Sequence, residues 1–286
     1  MTMALDAPAQ IRLKTPGNGL AVIADALPRL IFAAYMILFF AYLFLPLAVM
    51  TAATFNTSRF PTVTPWLGTT LQWFAALWAD QAMWKALRLS LFIGASVIAI
   101  SLPIGTAAAL FLTSLQGRSR TFFYALMVSP LLTPGVAIGI ATLILWRQAG
   151  VGGGLLLIIL AQSSFIAAYV MLMVVARLQR FDRTLEEAAI GLGASRFMVF
   201  RRILLPYLKP SLIAAMLIAF LQSFENYNTT LFVRGTETPL TVYIATKVRT
   251  GLTPAVNALG LILIVLTIVA AVAFEFAKRR RASLTA

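Results

Sequence analysis

Between Leu30 and Ala53 the chain carries no charged side chain. As a helix rising 1.5 Å per residue, such a run crosses the roughly 30 Å hydrocarbon core of a bilayer. Five more long apolar stretches come after it, near 86–113, 122–146, 154–176, 211–233 and 255–277. Backbone in lipid must satisfy its own hydrogen bonds, so the pattern predicts an all-α, polytopic membrane protein with six transmembrane helices. Composition agrees. With 60% hydrophobic and 11% charged residues, the 286-residue chain lacks the polar surface to cover a water-exposed globule. The first stretch is not read as a cleavable signal peptide. It starts after a polar arm with Arg12, Lys14 and Arg29, and no small-residue cleavage site comes after it.

Cysteine and histidine are both absent. That removes disulfides, thiolate metal sites, the usual His-based zinc sites and Ser-His-Asp triads. The net charge is +14, yet the basic residues sit in short tracts between apolar runs. That placement fits the positive-inside rule and not nucleic-acid binding. With the N-terminus in the cytoplasm, 16 of the 23 Lys and Arg residues fall on the inner side. Both termini are therefore expected inside. Segment 54–85 is then external, and its Trp66, Trp73, Trp78 and Trp84 suit a membrane interface. Trp73, Leu77 and Trp84 are expected on one face of a surface-lying helix.

One inner loop, 177–210, is long and polar, with seven basic residues and the acids Asp182, Glu186 and Glu187. Thr184 and Glu187 have capping-box spacing, in which the Thr hydroxyl accepts from the amide of Glu187. Ala188, Ala189, Ile190 and Leu192 extend a short helix that Gly191 and Gly193 can end. Ser195 can cap a second helix, with Phe197, Phe200 and Leu204 on one face and Arg196, Arg201 and Arg202 elsewhere. Pro206 and Pro210 limit it. Physics alone leaves two readings open: an amphipathic elbow resting on the bilayer, or a docking knob for a partner.

The string Glu187-Ala188-Ala189, then Gly193-Ala194, then Phe200, Ile203, Leu205 and Pro206, resembles the E-A-A-x-x-x-G-A and F-x-x-I-x-L-P motif of bacterial ABC importer permeases of the type I, MetI-like family. Nine positions match at fixed spacing. From about residue 86 the likeness is to spermidine/putrescine-type permeases, and to the second permease of such systems. It rests on Arg177-Leu178 with Phe181-Asp182-Arg183, on Ser129 to Gly135, and on Thr253 to Leu259. Departures are Gly191 where many relatives have Asp, Gln162 where many have His, and Glu225-Asn226 where polyamine permeases often have paired acids.

The resemblance implies a cytoplasmic N-terminal arm over 1–29, a six-helix permease domain over 30–277 with its coupling loop at 177–210, and a basic cytoplasmic tail over 278–286. It implies a bacterial inner-membrane location. Glu187, Ala188, Ala189, Gly193, Ala194, Phe197 and Phe200 would couple the chain to a separate ATPase homodimer that holds the ATP and magnesium. The glutamate would anchor the elbow, Gly193 would permit the turn, and the two phenylalanines would fill a cleft. A second permease, forming a heterodimer, and a periplasmic solute-binding protein complete the expected assembly, and alternating access is the expected mechanism. Polyamines lead as solute; other organic cations, amino-acid derivatives, phosphonates and ferric iron use similar permeases.

No cofactor is expected in this chain. A Walker A loop needs Gly-Lys, and no lysine here comes directly after a glycine. Gly152-Gly153-Gly154 is read as an outer turn. Glu225 lies about 15 residues past Pro210, roughly 22 Å up the fifth span. An ionisable residue there is a pathway candidate. The alternative is an ion pair with Arg234 or with a partner's cation. Asn226, Tyr227 and Asn228 either line a gate or bond a neighbouring helix. Pro130 and Pro134 either line the pore or kink the third span. Glu275 is expected to pair with Arg279. A lone secondary transporter and an intramembrane enzyme are the competing classes. The enzyme would need Glu225 and Glu275 together, and they fall near opposite membrane faces.

Overall fold

The computed structural model describes residues 19–251 and 253–283, apart from the side chains of 19–26, 270–271, 274–275 and 277–283. The expected roles of Arg12, Lys14, the Glu275–Arg279 pair and the basic tail's side chains lie outside the described residues. The described residues are mostly helical, and β pairing among them is limited to one bridge between Asn56 and Thr69. The helices are α1 (Gly19–Thr54), α2 (Gln72–Ala79), α3 (Gln81–Ser114), α4 (Gly117–Leu132), α5 (Gly135–Gln148), α6 (Leu155–Leu178), α7 (Thr184–Gly191), α8 (Arg196–Val199), α9 (Leu205–Phe224), α10 (Asn228–Val233), α11 (Leu240–Thr250) and α12 (Pro254–Ser283). A π-helical turn, Phe200–Leu204, joins α8 to α9.

Four segments are long and apolar enough to cross a membrane: α1 from Leu27, α3, α6 and the continuous run Arg196–Phe224. Helices α4 and α5 meet at 102° and make a fifth crossing only if the bent pair is one span. Helix α12 runs Pro254–Ser283, and Pro254–Val269 is the part of it whose side chains are described without a gap. The described residues thus hold four or five crossings where the sequence predicts six. The stretch 122–146 is broken because Pro134 lacks an amide N–H and disfavours helix at Thr133 before it. The stretch 211–233 starts earlier and stops at Phe224. Helix α1 already begins at Gly19, inside the segment expected as the arm.

The described residues fall into two compact units. The first comprises α1, the loop after it as far as Leu71, and α12 from Asn257 onward. Its most apolar α1 window is 0% buried, as expected of a helix whose solvent is lipid. The loop is organised by the fully buried Asn56. Its Nδ2 donates to the carbonyls of Thr62 (2.9 Å) and Pro65 (3.1 Å), and its Oδ1 accepts from the amides of Ser58 and Leu67. Phe60, Trp66 and Leu67 are left outward.

The second unit, Gln72–Val256, is built around α6, whose most apolar window is 61% buried. Ile158, Ile166, Val170 and Val174 of α6 pack with Ile93, Val97 and Leu112 of α3 and with Leu208, Ala215 and Ala219 of α9. Lipid is as apolar as these side chains, so close packing and not water exclusion holds the helices together. Gly105 shows how close: a Cβ there would lie 2.6 Å from the Ala167 carbonyl. The expected tryptophan face is split. Leu77 is buried in α2, while Trp84 belongs to α3 and donates from Nε1 to the Trp78 carbonyl at 2.9 Å. Asp80, between the two helices, accepts from the Met83 amide and starts α3 as its N-cap.

Candidate functional site

The elbow begins at Asp182. Its Oδ1 accepts from the amide (3.0 Å) and hydroxyl (2.8 Å) of Thr184, and these two bonds hold the Asp182 carboxyl below its ordinary value. The expected capping box therefore does not form. The Thr184 hydroxyl is spent on Asp182 in a local Asx-type turn, and the Glu187 amide bonds the Arg183 carbonyl instead. Helix α7 closes at the expected glycine. The Gly193 amide bonds the Ile190 carbonyl (2.9 Å) and the Ala194 amide bonds that of Ala189 (3.0 Å). That is a Schellman pair, and it needs Gly193 at φ +88°. Ser195 then accepts from the Met198 amide and caps α8.

Glu187, Ala188 and Gly193 are exposed, Ala189 and Ala194 half-buried. Phe197 projects with 71% of its surface free, and Leu192 with 90%. Phe200 differs: it packs against the molecule's own core, and Leu204 is buried. The expected common face of Phe197, Phe200 and Leu204 is divided: the π turn that starts at Phe200 inserts a residue before Leu204 and rotates it away from Phe197.

Three hydrogen bonds and a cation–π contact root the elbow in the bundle. Arg183 Nη2 donates to the Thr113 carbonyl at the end of α3 (2.8 Å). Arg177 Nε donates to the Tyr207 carbonyl, while Tyr207 Oη donates back to the Arg177 carbonyl at 3.2 Å. The Arg177 guanidinium also lies 4.1 Å from the Tyr207 ring centre, a cation–π contact. These contacts tie the elbow to the ends of α3, α6 and α9.

A second site lies where two helices are interrupted together. The α4–α5 corner faces the break at 225–227 between α9 and α10, across a cavity of about 250 Å³. Pro130, Thr133, Gly135, Phe165, Tyr169, Gln222, Glu225, Asn226, Tyr227 and Asn228 line it. Pro134 forms the corner between two lining residues. Small residues permit the approach: a Cβ on Gly139 would lie 2.7 Å from the Thr229 carbonyl.

Glu225 is exposed and makes no ion pair among the described residues. Gln222 Nε2 donates to its Oε1 at 3.3 Å. The alternative partner, Arg234, turns instead to the Glu237 carbonyl. Asn226 Oδ1 accepts from the amide and hydroxyl of Thr230, and Tyr227 Oη accepts from Arg249 Nη2. Phe165, Tyr169 and Gln222 do not stand out in the sequence. Aromatic rings buried in an apolar run carry no signal of their own, and only the polar run Gln162-Ser163-Ser164 marks this part of α6.

Helix α11 is latched to the start of α3. Tyr243 Oη donates to Asp80 Oδ2 at 2.6 Å, Lys247 Nζ lies 3.5 Å from the same oxygen, and the Leu240 amide donates to Ser90 Oγ. Burial pushes the Asp80 carboxyl up, but the Tyr243 hydroxyl, the Met83 amide and the Lys247 ammonium outweigh it and leave it below its ordinary value. Burial and the adjacent carboxylate push the Tyr243 phenol far above its ordinary range. A depressed carboxylate contributes stability that is complete above the ordinary value of 3.8 and lost as pH falls through the lower folded value. The latch is therefore intact at neutral pH. Amide protection of Leu240–Thr250, corrected for intrinsic exchange, is expected to stay flat from about pH 5 to 8 and to fall severalfold at pH 7 in Tyr243→Phe. A protection step inside that window would refute the assignment.

The chain as a whole resembles known proteins. The family model for the binding-protein-dependent transport system inner membrane component matches residues 101–283. The spermidine/putrescine transport system permease protein PotC of Escherichia coli (strain K12) is 30% identical over 254 residues, covering 88% of this chain and 95% of that protein. The putrescine transport system permease protein PotI of the same strain is 34% identical over 237 residues, covering 80% and 84%. In the crystal structure of the bacterial alginate ABC transporter in complex with alginate pentasaccharide-bound periplasmic protein, one chain shares the fold. Its TM-score is 0.68 at 16% identity, with 87% of this chain and 92% of that one covered.

Proposed function

The chain belongs to the family of binding-protein-dependent transport system inner membrane components, multi-pass permease subunits and not enzymes, and from that membership we propose how its two sites divide the work of import. The elbow docks into a cleft of a separate ATPase homodimer, which binds the ATP and magnesium. Glu187 anchors it, and Phe197 is the side chain that enters the cleft. Phe200 acts from behind, as part of the core on which the knob is mounted.

The observation that carries this reading is an exposed phenylalanine on a glycine-closed turn, rooted by Arg183 and Arg177 in the ends of three long helices. A push on such a knob moves the bundle and is not absorbed by a loose loop. Termini on the cytoplasmic side put the elbow on the side where ATP is available. The cavity at the two helix breaks is this subunit's half of the solute pathway. A second, different permease supplies the other half, and a periplasmic binding protein delivers the solute.

The solute is a small organic cation of the polyamine class. The names of the two curated relatives support it, and so does the chemistry of the cavity. A carboxylate with no ion pair among the described residues, flanked by carboxamides and aromatic faces, suits an alkylammonium head with its methylene chain. One carboxylate fits one ammonium group per subunit.

Phe197→Asp is the direct test of docking. The variant is expected to insert in the membrane and to lose co-purification of the ATPase at least tenfold. Retention of the ATPase at the wild-type level would remove the docking role.

A further inference from the structure

The break at 225–227 holds the carboxylate that faces the cavity, and a short non-helical segment inside an apolar bundle needs partners from outside itself. Those partners form a relay that starts on α6. Gln162 is 2% exposed and sits among buried apolar residues. Ser223 Oγ, in the last turn of α9, donates to Gln162 Oε1 at 2.5 Å. Gln162 Nε2 donates to Thr230 Oγ1, in α10, at 2.8 Å. Thr230 in turn donates to Asn226 Oδ1, from Oγ1 at 3.2 Å and from its amide at 3.3 Å. One buried carboxamide thus grips the chain on both sides of the break.

The polarity of the relay fixes what can stand at its centre. The Thr230 amide can only donate, so Asn226 must turn its Oδ1 toward it. The Asn226 amide nitrogen, without a partner among the described residues, is left for the cavity that Asn226 lines. The single Thr230 hydroxyl proton goes to Asn226, so that oxygen must accept from the next member. Gln162 must then offer its NH2 to α10 and its carbonyl to α9. An ionised carboxylate offers no donor, and an aliphatic side chain offers neither. A half-satisfied network at such burial is worse than none.

We infer that Gln162 is a positioning residue for the translocation site: without lining the cavity, it sets where Glu225 and Asn226 stand. The inference rests on reading the cavity as the solute pathway, and its test keeps the two apart. In the assembled transporter, hydrogen exchange over 225–230 and putrescine uptake are measured for Gln162→Leu, Asn226→Ala and the double variant. Gln162→Leu is expected to speed exchange at 225–230 at least tenfold while peptides within 184–206 are unchanged. It should raise the half-saturating putrescine concentration about tenfold and lower the maximal rate less. Adding it to Asn226→Ala should raise that concentration by less than Gln162→Leu does alone. Unchanged exchange at 225–230, or additive effects in the double variant, would overturn the inference. Faster exchange with uptake indifferent to Asn226→Ala would uphold the positioning role and reject the pathway reading. If Gln162→Leu does not assemble, Thr230→Val keeps the side-chain shape, cuts the relay at the next link and must speed the same exchange; if it does not, the inference fails.

Discussion

Gly193→Val leaves a permease that inserts in the membrane but imports at about one-hundredth of the wild-type rate or less. The reason is confined to the backbone. Gly193 stands at φ +88°, and a Cβ there would meet nothing within 4 Å, so no clash is involved. A left-handed conformation costs an L-residue about 1–2 kcal/mol, and a β-branched one more. The chain escapes that cost by leaving the turn, which breaks the bonds from Gly193 to Ile190 and from Ala194 to Ala189. Phe197 and Glu187 then lose their fixed relation, and the knob no longer presents one shape to the ATPase. Since about 1.4 kcal/mol is a tenfold change in an equilibrium, a left-handed cost of about 3 kcal/mol for a β-branched residue reaches the hundredfold range. Gly191 is the internal control. It also has open space around its missing Cβ, but it lies in the last turn of α7 with ordinary helical backbone. Gly191→Ala should be neutral or stabilise α7 by roughly 0.5–1 kcal/mol. Uptake and ATP hydrolysis measured in proteoliposomes separate the two. Near-normal import by Gly193→Val, or equal damage from both substitutions, would refute a hinge at Gly193.

The contrast between these glycines shows which parts of the molecule local sequence specifies. The elbow's turn is legible because its chemistry is contained in a few neighbouring residues: Gly193 for the left-handed step, Ser195 for the cap, and alanines for the helix between. The fate of Phe200 is not, because it packs against core residues far off in the chain, and the π turn that starts there carries no local signal. The corner at Pro134 arises from proline chemistry, though the same proline in a longer helix would give only a kink. The break at 225–227 is invisible from within its own segment. Its polar residues are evident, but the relay that makes a break tolerable reaches across to Gln162 on α6 and forward to Thr230. An apolar run therefore misplaces a helix end where a break lies inside it, as 211–233 does by passing the stop at Phe224. Facing breaks are also where a membrane protein places polar groups that must contact solute.

Glu225→Gln should raise the half-saturating concentration for an alkylammonium solute between about 10- and 100-fold. The substitution keeps the size of the side chain, and the new amide oxygen can still accept from Gln222 Nε2, which now bonds Oε1 of the glutamate. What it removes is the charge. A hydrogen bond to a charged group is worth about 1.5–3 kcal/mol, which sets the expected range. Because Glu225 makes no ion pair among the described residues, neutralising it strands no buried cation in the chain. Folding and co-purification with the ATPase should accordingly be preserved. Glu225→Asp retains the charge but draws it back by one methylene, and its effect should fall between those of wild type and Gln. The measurement is concentration-dependent uptake of putrescine by the assembled transporter, against an uncharged solute of similar length as a control for nonspecific leakage. If Gln and Glu gave the same concentration dependence, the carboxylate would not be meeting the solute. The cavity at the paired helix breaks would then be a packing feature of the bundle, and the cation preference would have to come from the binding protein or from the second permease.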